Sequence, residues 1–220
     1  MGDITVKKAA IFDLDGTLLN TLTDLAVACN HALETYGYPT HQVEAYKMFV
    51  GNGVYNLVKR ILPEDAQDEE TRAKVKAAFD AYYEAHTVDF TKPYDGISEM
   101  LDTLKNKGVK MIVISNKAHN FVVQLIQNIF PGIFDVILGQ RDYVPKKPDP
   151  AAVFEALGQV DIAPEDTIYV GDSGVDMQTG KNAGLLTIGV AWGFRGEAEL
   201  LENGADAIVH APEEIIDFID

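Results

Sequence analysis

Apolar positions along the chain follow two rhythms. Five or six short, mainly apolar runs, at residues 9–12, 109–114, 134–138, 167–170 and 186–190, with 207–209 as the sixth, read as buried strands. Between most of them apolar residues recur at helical spacing, so strand and helix alternate. Right-handed crossovers between such strands predict a parallel sheet covered on both faces, an α/β core. From residue 20 to residue 90 the strand pattern disappears. Leu25, Cys29, Ala32, Leu33 and Tyr36 fall at helical spacing there, and the stretch reads as a helical insertion. Punctuation residues refine the picture. Asp149 followed by Pro150 predicts an N-cap with proline in the first helical position, ahead of Val153, Phe154 and Leu157. Gly108, Gly158 and Gly184 fall where helices are expected to stop.

Composition narrows the functional classes. With 47% hydrophobic and 24% charged residues over 220 positions, the chain has the balance of a folded globular protein. Its formal net charge is -16 and its Lys and Arg are scattered, which leaves no basic footprint for nucleic acid or acidic lipid. An anionic substrate would therefore have to be drawn in by a metal ion or by a few focused donors. The one cysteine, Cys29, excludes an internal disulfide and reads as a buried structural thiol. No stretch is long and apolar enough to span a membrane, and a cytoplasmic location is the expectation. The acidic cluster Glu64, Asp65, Asp68, Glu69 and Glu70 reads as a solvated helix start.

The chemistry gathers at strand ends. The first strand runs into Asp13-Leu14-Asp15-Gly16-Thr17, and residues two apart on a strand share a side, so Asp13 and Asp15 begin as neighbours at the edge where open parallel sheets bind ligands. Two close carboxylates repel unless a cation or a shared proton intervenes. The run 109–114 ends in Ser115-Asn116, and the run 167–170 ends in Gly171-Asp172-Ser173-Gly174-Val175-Asp176. Between them Pro145-Lys146-Lys147-Pro148-Asp149-Pro150 holds two lysines in a stiff loop. Charge alone leaves open which lysine serves a cleft lined by Asp13, Asp15, Asp172 and Asp176.

These four segments, in this order, resemble the haloacid dehalogenase superfamily over essentially the whole chain. The resemblance implies a Rossmann-like core at 1–19 and 91–220 with an inserted all-helical cap domain at 20–90. It implies that Asp13 is a nucleophile and Asp15 a general acid and base. Ser115 would bind the phosphoryl group, and Lys147, the lysine directly before proline, would steady nucleophile and phosphate. Asp13, Asp172 and the backbone carbonyl of Asp15 would hold Mg2+, with Asp176 in support near the metal or the lysine.

A narrower likeness, to the phosphoglycolate phosphatase branch, is carried by Phe49-Val50-Gly51-Asn52-Gly53, by Leu57-Val58-Lys59-Arg60, and by Ala191-Trp192-Gly193-Phe194-Arg195-Gly196 followed by Gly204-Ala205-Asp206. It implies a magnesium-dependent phosphatase acting on a small phosphorylated metabolite, 2-phosphoglycolate foremost, with Gly51, Asn52, Gly53 and Asn116 near the substrate. Two departures from the branch pattern bear on the substrate: Asn20 stands where many relatives have Asp, and Lys47 lies near a usual Arg. A sugar phosphomutase would place basic residues at the positions held by Val50 and Val54. A phosphoacceptor signalling domain would share the strand-end Asp, Ser and Lys but need neither Asp15 nor a cap. None of the five histidines falls in a motif, and the oligomeric state is left open.

Overall fold

A computed structural model describes residues 6–219. Six strands form one sheet in the order β5-β4-β1-β6-β7-β8: β1 Ala9–Phe12, β4 Lys110–Ala118, β5 Val136–Gln140, β6 Thr167–Gly171, β7 Leu186–Val190 and β8 Ala207–Val209. Every neighbouring pair is parallel. β1 sits centrally, with Phe12 opposite Val113 on one side and Val170 on the other. Its residues are all buried, and its side chains alternate between two cores. Ala10 and Phe12 join the face packed by α5 (Ile97–Asn106) and α6 (His119–Ile129), while Ile11 joins the face packed by α7 (Ala151–Val160). α8 (Gly174–Asn182) and α9 (Glu197–Glu202) complete the crossovers.

The segment between β1 and α5 leaves the sheet through a two-stranded antiparallel ribbon, β2 (Leu19–Asn20) against β3 (Lys92–Pro93). Between the ribbon strands lie α1 (Leu22–Thr35), α2 (Tyr46–Phe49), α3 (Val54–Ile61) and α4 (Glu69–Ala85). They close over a hydrophobic cluster of their own, including Leu25, Cys29, Leu33, Val58, Phe79 and Tyr83, which also takes in Phe121 of α6. Buried Asp24 stitches the segment's exit to its entry by accepting from the amides of Phe90 (3.0 Å) and Thr91 (2.8 Å). The acidic cluster lies at a helix start: Asp68 caps α4 by accepting from Thr71 N at 2.9 Å, and Glu69 and Glu70 occupy its first turn.

Several boundaries differ from the sequence expectation. β4 runs on through Ser115 and Asn116 to Ala118, although its pairing with β5 is irregular between Ile114 and Ala118, which frees this stretch from the ladder. Asp149 does not cap α7. Pro150 holds that position, and Asp149 accepts from Ala151 N at 2.9 Å one residue earlier. Gly158 lies inside α7, which ends instead at Asp161 in the left-handed conformation (φ 54°). Gly108 and Gly184 do end helices, at φ 77° and 75°.

Candidate active site

The C-terminal ends of β1, β4 and β6 converge on one edge of the sheet, as the right-handed parallel topology requires. Asp13 follows β1 directly, and its amide donates to Val170 O (3.0 Å), which ties the loop to β6. Lys147 reaches this point from the loop before α7. Its ammonium donates to Asp13 Oδ1 (2.9 Å), Asp176 Oδ1 (2.7 Å) and Ile114 O (3.1 Å), three acceptors for three protons. The adjacent Lys146 is exposed and donates to Asn52 O at 3.3 Å. Geometry thus separates two lysines that charge could not.

Asp176 holds a further tie. Its other oxygen accepts from Ser173 N (3.1 Å) and Ser173 Oγ (2.6 Å), a capping box that opens α8. Asp172 accepts from Phe194 N at 2.7 Å. One carboxylate oxygen from each of Asp13, Asp172 and Asp176 lies within 4.8 Å of the others. Burial first, and Asp176 second, push the Asp13 carboxyl up to about 7 against the pull of Lys147. Burial first, then Asp176 and Asp13, push Asp172 well above the usual carboxylate range. For Lys147 burial opposes the charge, yet Asp13 and Asp176 outweigh it and hold the ammonium well above its ordinary value. Three buried carboxylates around one ammonium leave negative charge uncompensated, and an all-oxygen donor set of this kind fits a hard divalent cation.

Asp15 stands apart from that group. Its Oδ1 accepts from Thr21 Oγ1 (2.6 Å) and from Lys117 Nζ (2.9 Å), and its side chain lines the cleft between the sheet edge and the helical segment. Ser115 lines the same cleft, its Oγ accepting from Lys117 N at 3.2 Å. Asn116 is committed to bracing: it accepts from Lys147 N (2.9 Å) and donates to Lys147 O (3.2 Å) and Gly51 O (3.3 Å). Gly51 and Gly53 line the cleft, whereas Asn52 is not among its lining residues and its carbonyl accepts from Lys146 of the core. Lys47 pairs with Glu44 (2.8 Å) on the surface, and Asn20 accepts from Leu22 N at 3.4 Å, so neither departure from the branch pattern falls in the cleft.

A match to the haloacid dehalogenase-like hydrolase family model extends over residues 10–190. The chain belongs to that family. It is 36% identical to a phosphoglycolate phosphatase of Thiobacillus denitrificans over 92% of this chain and 91% of that protein, and 30% identical to one of Aquifex aeolicus over 97% of each. A crystal structure from Lactobacillus delbrueckii subsp. bulgaricus superposes with a TM-score of 0.92 at 34% identity, covering 97% of this chain and 98% of that one.

The structure also shows how residues beside the strand-end aspartates, serine and lysine brace them. Trp192 Nε1 donates to Thr17 O (3.0 Å), so the loop after β7 props up the loop after β1. Gly193 and Gly16 both press backbone against the Asp172 side chain. A Cβ at either would overlap that carboxylate, and Gly16 also adopts φ 88°. Lys117, directly after the Ser-Asn pair, is buried against Asp15. The sequence signal for it was a polar residue following an apolar strand, indistinguishable there from a solvated lysine.

Proposed function

We propose that this protein is a phosphoric monoester hydrolase that cleaves a small phosphate ester, 2-phosphoglycolate foremost, through a phosphorylated Asp13. The observation that carries this reading is the buried arrangement in which Lys147 spans Asp13 and Asp176 beside Asp172. It supports an Asp13 oxygen as the nucleophile, held beside a fixed cation at the edge of the sheet where parallel α/β folds bind ligands. The relatives named for phosphoglycolate phosphatase, similar over most of their length, supply the substrate class.

Mg2+ held by Asp13 and Asp172, with the Asp15 carbonyl, would offset the repulsion between the carboxylates and an incoming phosphate. An Asp13 oxygen attacks phosphorus in line while the bond to the leaving oxygen breaks, and Asp15 gives that oxygen its proton. Water then adds to phosphorus, Asp15 takes the water's proton, and the bond to Asp13 breaks to release inorganic phosphate. Lys147 steadies charge on Asp13 and the phosphoryl group, and Ser115 with nearby backbone amides holds the phosphoryl oxygens. The helical segment at 20–90 acts as a cap that walls the leaving-group side of the cleft. Val50 and Val54 make part of that wall apolar, which disfavours a second phosphate of the kind a phosphomutase must hold.

The test is hydrolysis of 2-phosphoglycolate with and without magnesium, in wild type and in Asp13→Asn. Turnover that requires the metal and drops on the order of 10⁴-fold or more in the variant supports the reading. Retained turnover in Asp13→Asn removes Asp13 as nucleophile.

A further inference from the structure

The cleft between the sheet edge and the helical segment contains a second buried lysine. Leu25, Val50, Val54, Leu57, Phe79 and Phe121 make much of its wall apolar. Asp80, the one carboxylate in the wall besides Asp13 and Asp15, pairs with Lys76 at 2.5 Å. Into this setting β4 delivers Lys117, whose side chain is 7% exposed. Unlike Lys147, whose three protons meet three oxygen acceptors, the Lys117 ammonium has, among the described residues, one oxygen acceptor of ordinary geometry, Asp15 Oδ1 at 2.9 Å. It lies 4.8 Å from the centroid of the Tyr83 ring, which takes up part of its charge. An ammonium buried with donor capacity to spare costs free energy that an added acceptor would recover.

Tyr83 provides an independent indication. It is fully buried, lines the same cleft, and among the described residues its hydroxyl has no hydrogen-bond partner of ordinary geometry. Its ring is clamped by Phe79, stacked at 5.3 Å, and by Phe121, edge-on at 5.2 Å. The hydroxyl is therefore held in place within the influence of the Lys117 ammonium, with no acceptor for its own proton among the described residues. Two underused donors, one on β4 and one on α4, thus belong to residues in the wall of an apolar cleft, in a chain whose net charge of -16 repels anions. We infer that Lys117 and Tyr83 form a subsite for a carboxylate on the leaving-group side of the phosphate ester, and that Lys117 determines specificity for acidic esters.

This inference rests on the phosphatase reading and deepens it. Because Tyr83 belongs to the helical segment and Lys117 to the sheet, a bound carboxylate would bridge the two parts and hold them together over the reacting phosphate. An ester of the same length whose leaving group is uncharged leaves both donors unanswered, and a site built to hydrogen-bond a group rejects the analogue lacking it.

The experiment compares kcat/KM for 2-phosphoglycolate and ethyl phosphate, which has the same two carbons without the carboxylate, in wild type, Lys117→Met, Lys117→Arg and Tyr83→Phe. The expected result is a wild-type preference for 2-phosphoglycolate of at least tenfold. That preference should fall at least tenfold in Lys117→Met, chiefly through KM, recover in part in Lys117→Arg, and fall several-fold in Tyr83→Phe. A preference unchanged in Lys117→Met, with both substrates slowed alike, would overturn the subsite and leave Lys117 acting only through Asp15. Calorimetric binding of the two esters to Asp13→Asn judges the subsite without turnover and without altering Lys117: tighter binding of 2-phosphoglycolate is expected, and equal affinity overturns it. Absence of magnesium-dependent turnover of either ester by wild type would count against the phosphatase reading, while the binding comparison still decides the subsite.

Discussion

The ammonium of Lys147 lies 2.9 Å from Asp13 Oδ1, joining residues 134 positions apart in sequence. The loop before α7 is positioned for this by Asn116, whose side chain pairs with the Lys147 backbone on both its N–H and its carbonyl. Three elements thus fix one charge. Removing that charge while leaving Asp13, Asp172 and Asp176 buried costs far more than losing an exposed cation. Lys147→Met is expected to lose about 3–5 kcal/mol of stability in urea denaturation. Lys146→Ala, one residue away on the surface, is expected to stay within about 0.5 kcal/mol of wild type. Similar losses in the two variants would contradict the geometry that separates them.

Asp15 carries a prediction about the second half-reaction. It receives hydrogen bonds from Thr21 and Lys117, and a carboxamide at this position can neither protonate the leaving oxygen nor accept a proton from water. Asp15→Asn is expected to lower kcat by about 10²–10⁴-fold. Given an ester with a good leaving group, it should accumulate a covalent phosphate. Mass spectrometry of acid-quenched protein would locate the added mass on Asp13. Phosphate found on another residue would refute the assignment of the nucleophile.

Much of this arrangement was legible in the sequence because it is written in local pattern. The runs at 186–190 and 207–209 coincide with β7 and β8, and the strand-end aspartates Asp13 and Asp172 stand beside the sheet edge. Helix boundaries were less legible. Asp149-Pro150 and Gly158 carry signals that tertiary packing overrode by shifting the start of α7 and carrying it past the glycine. Least legible were partnerships across the chain. Nothing in the segments around Lys117, Tyr83 or Trp192 announces that the first two meet each other or that the third reaches Thr17. Such contacts depend on how the helical segment folds back over the sheet, which spacing alone does not encode.

The carboxylate cluster predicts a conflict between stability and activity. Burial raises the folded-state Asp172 pKa well above the usual carboxylate range. In the metal-free protein the folded state therefore binds the proton more tightly than the unfolded state does. Stability must fall as pH rises above the unfolded value and through the folded one, and above both the full cost persists. Asp172→Asn carries no such cost and can still accept from Phe194 N. With chelator present at pH 8, the variant is expected to be more stable than wild type by at least about 1 kcal/mol, with the difference shrinking toward pH 4. The same variant should lose most of the stabilisation that added magnesium gives wild type. A variant less stable than wild type at pH 8 would show that Asp172 is held by attractions stronger than its burial and its acidic neighbours.

Arg195 is a further tie between the sheet and the helical segment. Its guanidinium, on the loop after β7, donates to the carbonyls of Lys47 and Val50, the latter at 3.0 Å, at the C-terminal end of α2, where unpaired carbonyls gather. Glu199 lies 3.6 Å from its Nε and orients it. Only a planar, multi-donor group can serve carbonyls spread over one helical turn, so lysine is a poor substitute. Arg195→Ala is expected to reduce overall stability by only about 1–2 kcal/mol, since each part keeps its own hydrophobic cluster. It should nevertheless loosen the seating of residues 46–53 over the site. Limited proteolysis should then cut within that stretch at least several-fold faster than in wild type, and bound phosphate with magnesium should slow the cutting in both proteins. The kinetic counterpart is a rise in KM larger than the fall in kcat, because the residues that make and break bonds at phosphorus stay in place while the wall of the cleft is less often closed. Arg195→Lys should resemble Arg195→Ala in both readouts. Proteolysis and KM both unchanged in Arg195→Ala would mean that Asn116, through Gly51, and Lys146, through Asn52, already suffice to hold the segment down.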